Sequence, residues 1–305
     1  MLSINDIATR TQAQFIGQSL SAQSHDINVI DRLPGTTNRS YKIRHLNASY
    51  ALRLPGPGTS QFIDRQNERD NSLLAFQKLA LTPEPVMLDA NSGIKIVCWV
   101  NHGKSLRVDN IEKYLDIIAP ALRKLHRSQC NFTYKINLVQ MLDDYLKLVP
   151  AGQLYQGLHR MIGLCRTFQS EISRLNLKSC PVHFDLVPEN ILVSRQGRIQ
   201  FIDWEYSGQG TAEMDIASLF TESELDERQR QYLLDCYRQP LSIHAIAIFE
   251  LQINTLWSIW SVIQKNNFAK GNLDYHEYGL SRLKKAEQVA RQLLEKAYVF
   301  CQQMG

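Results

Sequence analysis

The chain has 305 residues, 44% of them hydrophobic and 21% charged, with a formal net charge of +4. That length fits one large domain or two coupled lobes, and the composition excludes a disordered, collagenous or coiled-coil chain. Lys and Arg are dispersed along it, so no dense basic run marks a nucleic-acid footprint and no nucleic-acid partner is expected.

The first residues, MLSINDIATR, lack a basic segment followed by an apolar core, so no signal peptide is expected. DINVIDRL, NRSYKIRH and SYALRLP then read as strands separated by the turn signals GTTN and LNAS. A helix is predicted from about Gln61 to Ala80, with Phe62, Leu73, Leu74, Phe76 and Leu79 on a helical repeat, ended by TPEP. EPVMLD and GIKIVCWV read as two more strands. From about Asp109 the pattern is mostly helical, in IEKYLDIIAPALRKLHRS, MLDDYLKLV and LYQGLHRMIGLCRTFQSEISRL. PVHFDLVPENILVSRQGRIQFIDWEY interrupts it as a loop, a short hairpin and an acidic tip, and helices then resume to the end. The most apolar stretch, IHAIAIFELQINTLWSIWSVI, is broken by Glu250, Gln252 and Asn254 and reads as a buried helix, not a membrane span. The expected fold class is therefore α+β: a small lobe of five strands and one main helix over residues 1–100, and a larger helical lobe over 101–305, with a cleft between them.

Six cysteines form no CxxC pair, and the single CxxH of Cys180 and His183 has no second pair at zinc-finger spacing. Free thiols in a reducing, cytoplasmic compartment are expected. Two phosphate-loop lookalikes fail on spacing. HGKS has Cys98 where a P-loop needs its first Gly, and LPGPGTSQ has Gln61 where GxGxxG needs its third. Both are expected to be turns.

The informative residues are His183, Asp185, Asn190 and Asp203. Gln196-Gly197 is suited to a two-residue hairpin turn, with Gly supplying positive φ. In that register Asn190 faces Asp203 at about 5 Å, and Leu192 faces Phe201 on the same side. Asp185 enters from the preceding loop. Three such oxygen donors suit a hard cation such as Mg²⁺; the competing reading is a hydrogen-bonded Asx turn without metal. His183 is expected to hydrogen-bond the loop backbone. HFDLVPEN followed by IDWE resembles the catalytic loop and metal-binding Asp of the protein-kinase-like fold. That likeness implies that Asp185 accepts the proton of an attacking hydroxyl and that Asn190 and Asp203 hold Mg²⁺. In YALRLP, Ala51 and Arg53 share a face, like the small residue and cation that admit a nucleotide base and meet its phosphates. Glu68 on the following helix could orient Arg53, or make an ordinary surface ion pair.

The chain as a whole resembles the choline/ethanolamine kinases, of the short bacterial type. LPGTTNRSYKI resembles their nucleotide loop and LRLPGPGTSQFIDRQNE their Arg-bearing strand and the helix after it. VHFDLVPENILV resembles the catalytic loop shared with aminoglycoside phosphotransferases, IDWEYSGQGTAEMDIASLFTE the metal-Asp segment, and LWSIWSVIQ the helix with two tryptophans. The resemblance implies a bilobal protein-kinase-like fold and ATP and Mg²⁺ as cofactors. It also implies transfer of a γ-phosphoryl group to the hydroxyl of choline, with ethanolamine, thiamine or another small alcohol as alternatives. Asn38, Arg53 and Glu68 would bind the nucleotide. Tyr206, Glu222, Trp257, Trp260 and Tyr275 would bind the acceptor, and Glu205 would support the metal-bearing tip. Trp257 and Trp260 share a helix face, where an aromatic pair is more often core, but a quaternary ammonium needs such a cage. No membrane partner and no particular oligomeric state is indicated.

Overall fold

The computed structural model describes residues 2–35, 37–56, 58–267 and 273–304. In chain order the elements are α1 (Arg10–Ser19), β1 (Asn28–Leu33), β2 (Arg39–His45), β3 (Ala48–Leu54), α2 (Arg65–Leu79), β4 (Pro85–Leu88), β5 (Lys95–Cys98), β6 (Lys104–Ser105), α3 (Leu115–His126), α4 (Leu138–Leu146), α5 (Leu158–Arg174), β7 (Ser179–Val182), β8 (Ile191–Val193), β9 (Ile199–Phe201), β10 (Gly208–Thr211), α6 (Ala212–Ser223), α7 (Glu227–Tyr237), α8 (Ile243–Asn267) and α9 (Tyr275–Met304). They form two compact units. One comprises Met1–Leu106 and Glu189–Ser207, the other Arg107–Pro188 and Gly208–Gly305. The hairpin of β8 and β9 thus groups with the first unit, which a single cut near residue 100 does not anticipate.

In the first unit β1 to β5 make an antiparallel sheet in the order β1-β2-β3-β5-β4. β3 lies at its centre and alternates faces. Leu52 and Leu54 join Ile43, Ile96 and Ile94 in a core closed by Ile4, Ala13, Ile16 and Ile27 of the N-terminal segment. The covering helix α1 starts at a capping box in which Thr9 and Gln12 exchange side-chain-to-backbone bonds. The opposite face of β3 carries Arg53, which sits across from Ser40 on β2 and Lys95 on β5.

Helix α2 begins at Arg65, not Gln61, because Asp64 caps it by accepting from the Gln66 and Asn67 amides. Its buried side is largely polar: Asn67, Glu68, Asn71 and Ser72 lie inside with Ala75 and Leu79, while Leu73, Leu74 and Phe76 are only half-buried. Asn67 and Asn71 both donate to the Ser207 carbonyl, at 2.8 and 3.2 Å, which ties α2 to the chain after β9. An apolar-periodicity reading is drawn to the other face.

β8 and β9 pair in a register one residue away from the expected one: Ile191 faces Phe201, Leu192 faces Gln200 and Val193 faces Ile199. The turn is longer than two residues. Ser194 accepts from Gly197 and donates to the Arg198 carbonyl, with Gly197 left-handed at φ 73°. Asn190 therefore sits beside Ile202, whose amide its carbonyl accepts at 2.9 Å, and not opposite Asp203. Of the two lookalike loops, HGKS runs into β6, which pairs with β8. LPGPGTSQ has a structural reason for Gly56. A Cβ there would lie 1.9 Å from the Thr37 carbonyl oxygen, so only glycine lets this loop close onto the one carrying Asn38. Thr36, in that same β1–β2 connection, lies outside the described residues.

The second unit is helical around α6 and α8. Every residue of α6 is buried. Residues Ile243–Asn266 of α8 make a helix long and apolar enough to cross a membrane, yet 89% of its most apolar window is buried in the folded chain, as a core helix would be. The three polar residues that interrupt the run have partners on other helices. Gln252 donates to Gln169 of α5 at 3.0 Å, Asn254 to Thr221 of α6 at 3.2 Å, and Glu250 accepts from Arg230 of α7. Cys98, Cys130, Cys165, Cys180 and Cys236 are free thiols.

α9 packs along α8 through Gly279. Its carbonyl accepts from Ser258 at 2.8 Å, and an added Cβ would fall 1.9 Å from Ser261 Oγ and 2.6 Å from the Tyr155 ring. Gly279→Ala is expected to destabilise the protein by about 1–3 kcal/mol through overpacking, read as a lower urea midpoint with an unchanged slope.

Candidate active site

In the first unit, three carboxylates from two segments meet three cations. Oxygens of Glu68, Asp203 and Glu205 lie within 4.8 Å of one another. Arg53 reaches all of them: Nη1 bonds Glu68 at 2.6 Å, Asp203 at 3.0 Å and Glu205 at 3.4 Å, and Nη2 bonds Glu68 at 2.8 Å and the Gly93 carbonyl at 3.2 Å. Arg65 bridges Glu68 and Glu205 at 2.7 and 2.9 Å, and Lys95 reaches Glu68 at 3.3 Å. Lys95 and Arg53 are like charges in direct cross-strand opposition, an unfavourable pairing that the shared Glu68 offsets. Asn38 donates to Glu205 at 3.3 Å and accepts from the Gly56 amide, which fixes the β1–β2 connection to the same cluster.

Electrostatics separate the acids. Burial would raise the Glu68 pKa, but Arg53, Lys95 and Arg65 hold it well below the usual carboxylate range. Burial likewise opposes the charge on Arg53, and Glu68, Asp203 and Glu205 outweigh it. Glu205 goes the other way: burial and the neighbouring Asp203 charge push it up to about 7. Asp203 is the most open of the three, its side chain 29% exposed against 4% and 7% for Glu68 and Glu205. It stands in the left-handed region at φ 64°, where the strand ends, a conformation Asp tolerates and one that collects at functional sites. An oxygen-only donor set of this kind is chemically suited to a hard divalent cation, and Asp203 is its most accessible member. Glu68 and Glu205 are instead engaged by Arg53, Arg65 and Lys95.

In the second unit the segment after β7 carries Asp185. Phe184 before it has φ 70°, an outlier for a bulky residue. Helix α6 enforces that turn. Fully buried Asp215 accepts from the His183 amide at 3.0 Å and the Phe184 amide at 2.7 Å, and pairs with His126 Nε2 at 2.9 Å. Ser218 donates to the Phe184 carbonyl and accepts from the Leu186 amide, both at 3.1 Å. His183 Nδ1 accepts the Asp185 amide at 3.3 Å, a backbone role as expected. Sequence reasoning passed over Asp215. Its signal was an acid inside MDIASLF, where an ionised side chain needs several partners to be buried.

Aromatic rings cluster next to this loop. Phe184 lies 6.2 Å from Trp257, Trp257 lies 6.3 Å from Trp260, and Trp260 meets Tyr275 at 5.7 Å and Tyr278 at 6.0 Å, the last three pairs edge to face. Tyr278 was not anticipated, although it lies one turn after Tyr275. Its hydroxyl pKa is raised by burial, by Glu222 and by Asp185. The acceptor-binding candidates Glu222, Trp257, Trp260 and Tyr275 therefore belong to the second unit with Asp185. Tyr206 lies, half-buried, on the short turn Trp204–Tyr206 of the first.

A family model for choline/ethanolamine kinases matches residues 29–243. The chain belongs to that family. Kinase chemistry with a small alcohol acceptor follows from this membership. Protein LicA of Haemophilus influenzae is 29% identical over 271 residues, covering 84% of this chain and 99% of its own. The crystal structure of choline kinase LicA from Streptococcus pneumoniae superposes with a TM-score of 0.83 at 27% identity, over 92% of this chain and 99% of that one. A LicA complex with AMP gives 0.82 at 28% identity, over 92% and 98%. A thiamine kinase of Salmonella paratyphi A is 32% identical over 151 residues, 49% of this chain and 51% of its own. The fold is thus the protein-kinase-like fold of choline kinases.

Proposed function

We propose that this choline/ethanolamine kinase family member is an ATP-dependent choline kinase, giving phosphocholine and ADP. One observation carries the choice of acceptor: the rings of Trp257, Trp260, Tyr275 and Tyr278 run continuously to Phe184, the neighbour of Asp185. A quaternary ammonium held against those faces leaves its hydroxyl arm to reach the carboxylate. Asp185 takes the hydroxyl proton as the oxygen bonds the γ-phosphorus, and the bond to the β-phosphate oxygen breaks to release ADP. Arg53, oriented by Glu68, meets the nucleotide phosphates, and Asn38 fixes the loop above them. Mg²⁺ held by Asp203 and Asn190 would neutralise the charge on the transferring phosphate oxygens. Glu222 and Tyr206 complete the acceptor side. The unit of residues 1–106 and 189–207 then serves to clamp the nucleotide, and that of residues 107–188 and 208–305 to hold the acceptor. The free thiols among the described residues and the need for ATP support a cytoplasmic setting.

The test is ADP release from Mg-ATP with choline, ethanolamine, thiamine and kanamycin as acceptors. Choline is expected to give the highest kcat/KM; a tenfold advantage for any other acceptor would replace it. Trp260→Ala is expected to raise the choline KM about 30-fold, the loss of about 2 kcal/mol of cation–π attraction, with the ATP KM within about twofold. Equal effects on both substrates would return the pair to a packing role.

A further inference from the structure

The acid of the acceptor pocket does not stand alone. Arg282, one helical turn after Tyr278, bonds Glu222 from Nη2 to Oε2 at 2.5 Å, with both side chains more than nine-tenths buried. Its guanidinium lies over the Tyr278 ring, 4.7 Å from the centroid, and interacts with the Tyr278 side chain, which joins the pair to the aromatic cluster. The pair is incompletely satisfied: Glu222 Oε1 and Arg282 Nη1 are buried and have no hydrogen-bond partner. Burying an ion pair with two open valences costs free energy that an apolar pair of the same size would not. An unpartnered carboxylate oxygen beside an aromatic cluster is a place for a ligand.

We propose that Arg282 is a positioning and specificity residue for the acceptor, and that it biases the pocket toward a fully N-alkylated ammonium over a primary one. The inference rests on the choline kinase reading above. By neutralising Glu222, Arg282 removes most of the reward that a bare buried carboxylate would give to N–H donors. By lying over Tyr278 it holds that ring edge-on to Trp260, where a methylated ammonium gains from ring faces and needs no hydrogen bond. Without Arg282, Glu222 becomes an unpaired buried acid. A primary ammonium, with three donors, satisfies that acid, and a quaternary one cannot.

The experiment compares choline and ethanolamine kcat/KM in wild type, Arg282→Met, Arg282→Lys and the double variant Glu222→Gln/Arg282→Met. Wild-type turnover of choline tests the underlying reading; if neither amino alcohol is phosphorylated, that reading fails whatever the variants do. With it in place, Arg282→Met is expected to shift the choline-to-ethanolamine ratio at least about tenfold toward ethanolamine, chiefly through KM. Arg282→Lys, which keeps the charge, and the double variant, which removes both charges, are expected to stay within about threefold of the wild-type ratio. A ratio unchanged in Arg282→Met overturns the proposal, as does a double variant shifted as far as the single. Should Arg282→Met fail to fold, Arg282→Gln, which also removes the charge, is read in its place: a shift of about tenfold toward ethanolamine supports the proposal and an unchanged ratio overturns it.

Discussion

Asp185→Asn is expected to lower the rate of phosphoryl transfer by at least about 10³-fold in single-turnover assays, while the ATP KM and the melting temperature hold. The substitution keeps the volume of the side chain and removes its ability to take a proton. The surroundings give the amide no reason to move. The Asp185 backbone is fixed by His183, and the strained Phe184 before it is locked by Asp215 and Ser218 of α6. Such a loop delivers one side chain in one direction, so that the effect falls on chemistry and not on folding. Turnover near the wild-type rate would take the proton-accepting role away from Asp185.

Arg53→Met is expected to be the most destabilising single change in the first unit, by about 3–5 kcal/mol, since removing one partner of a buried ionic network leaves the others uncompensated. Glu68 would keep Arg65 and Lys95, and Glu205 would keep Arg65, while Asp203 would lose the cation it is bonded to. The deficit has a pH signature. Glu205 already has a folded pKa near 7, above its unfolded value, and losing a cation that pulls it down pushes it higher. A group with a raised folded pKa binds more protons folded than unfolded. Stability therefore falls as pH rises from the ordinary carboxylate value through the folded one. The cost of Arg53→Met should accordingly be greater at pH 8 than at pH 5.5 in urea titrations, and an equal cost at both would exclude Glu205 as the acid left behind. Arg53→Lys should recover only part of the loss, since one ammonium has three donors for the five contacts of the guanidinium fork.

The strands were legible because they are short runs set apart by turns rich in Gly, Asn and Thr, although only β2 alternates clearly in burial. The candidate catalytic segment was legible because its polar residues are local: Asp185, Asn190 and Asp203 lie within one short stretch. What escaped notice depended on packing. The N-terminal helix α1 has only three buried residues, and its clearest mark is the Thr9–Gln12 capping box. The buried face of α2 hides behind Asn67, Glu68 and Asn71, which hydropathy assigns to water. The hairpin slipped by one residue because Gly197 fits either of two turn lengths, and a single extra loop residue moves every partner. Lys95 and Arg282 were passed over because a lone cation carries no pattern until its acid is placed beside it.

The backbone passes from one unit to the other after Leu106, after Pro188 and after Ser207. Glu68, the first acid to meet Arg53, leaves the ribosome early, whereas Asp203 and Glu205 emerge more than a hundred residues later. A nascent N-terminal sheet must therefore wait, with a cation at its centre only partly compensated, until translation has delivered most of the helical half. A fragment ending near residue 106 would lack Asp203 and Glu205 and so leave Arg53 with Glu68 as the one remaining acid of the three.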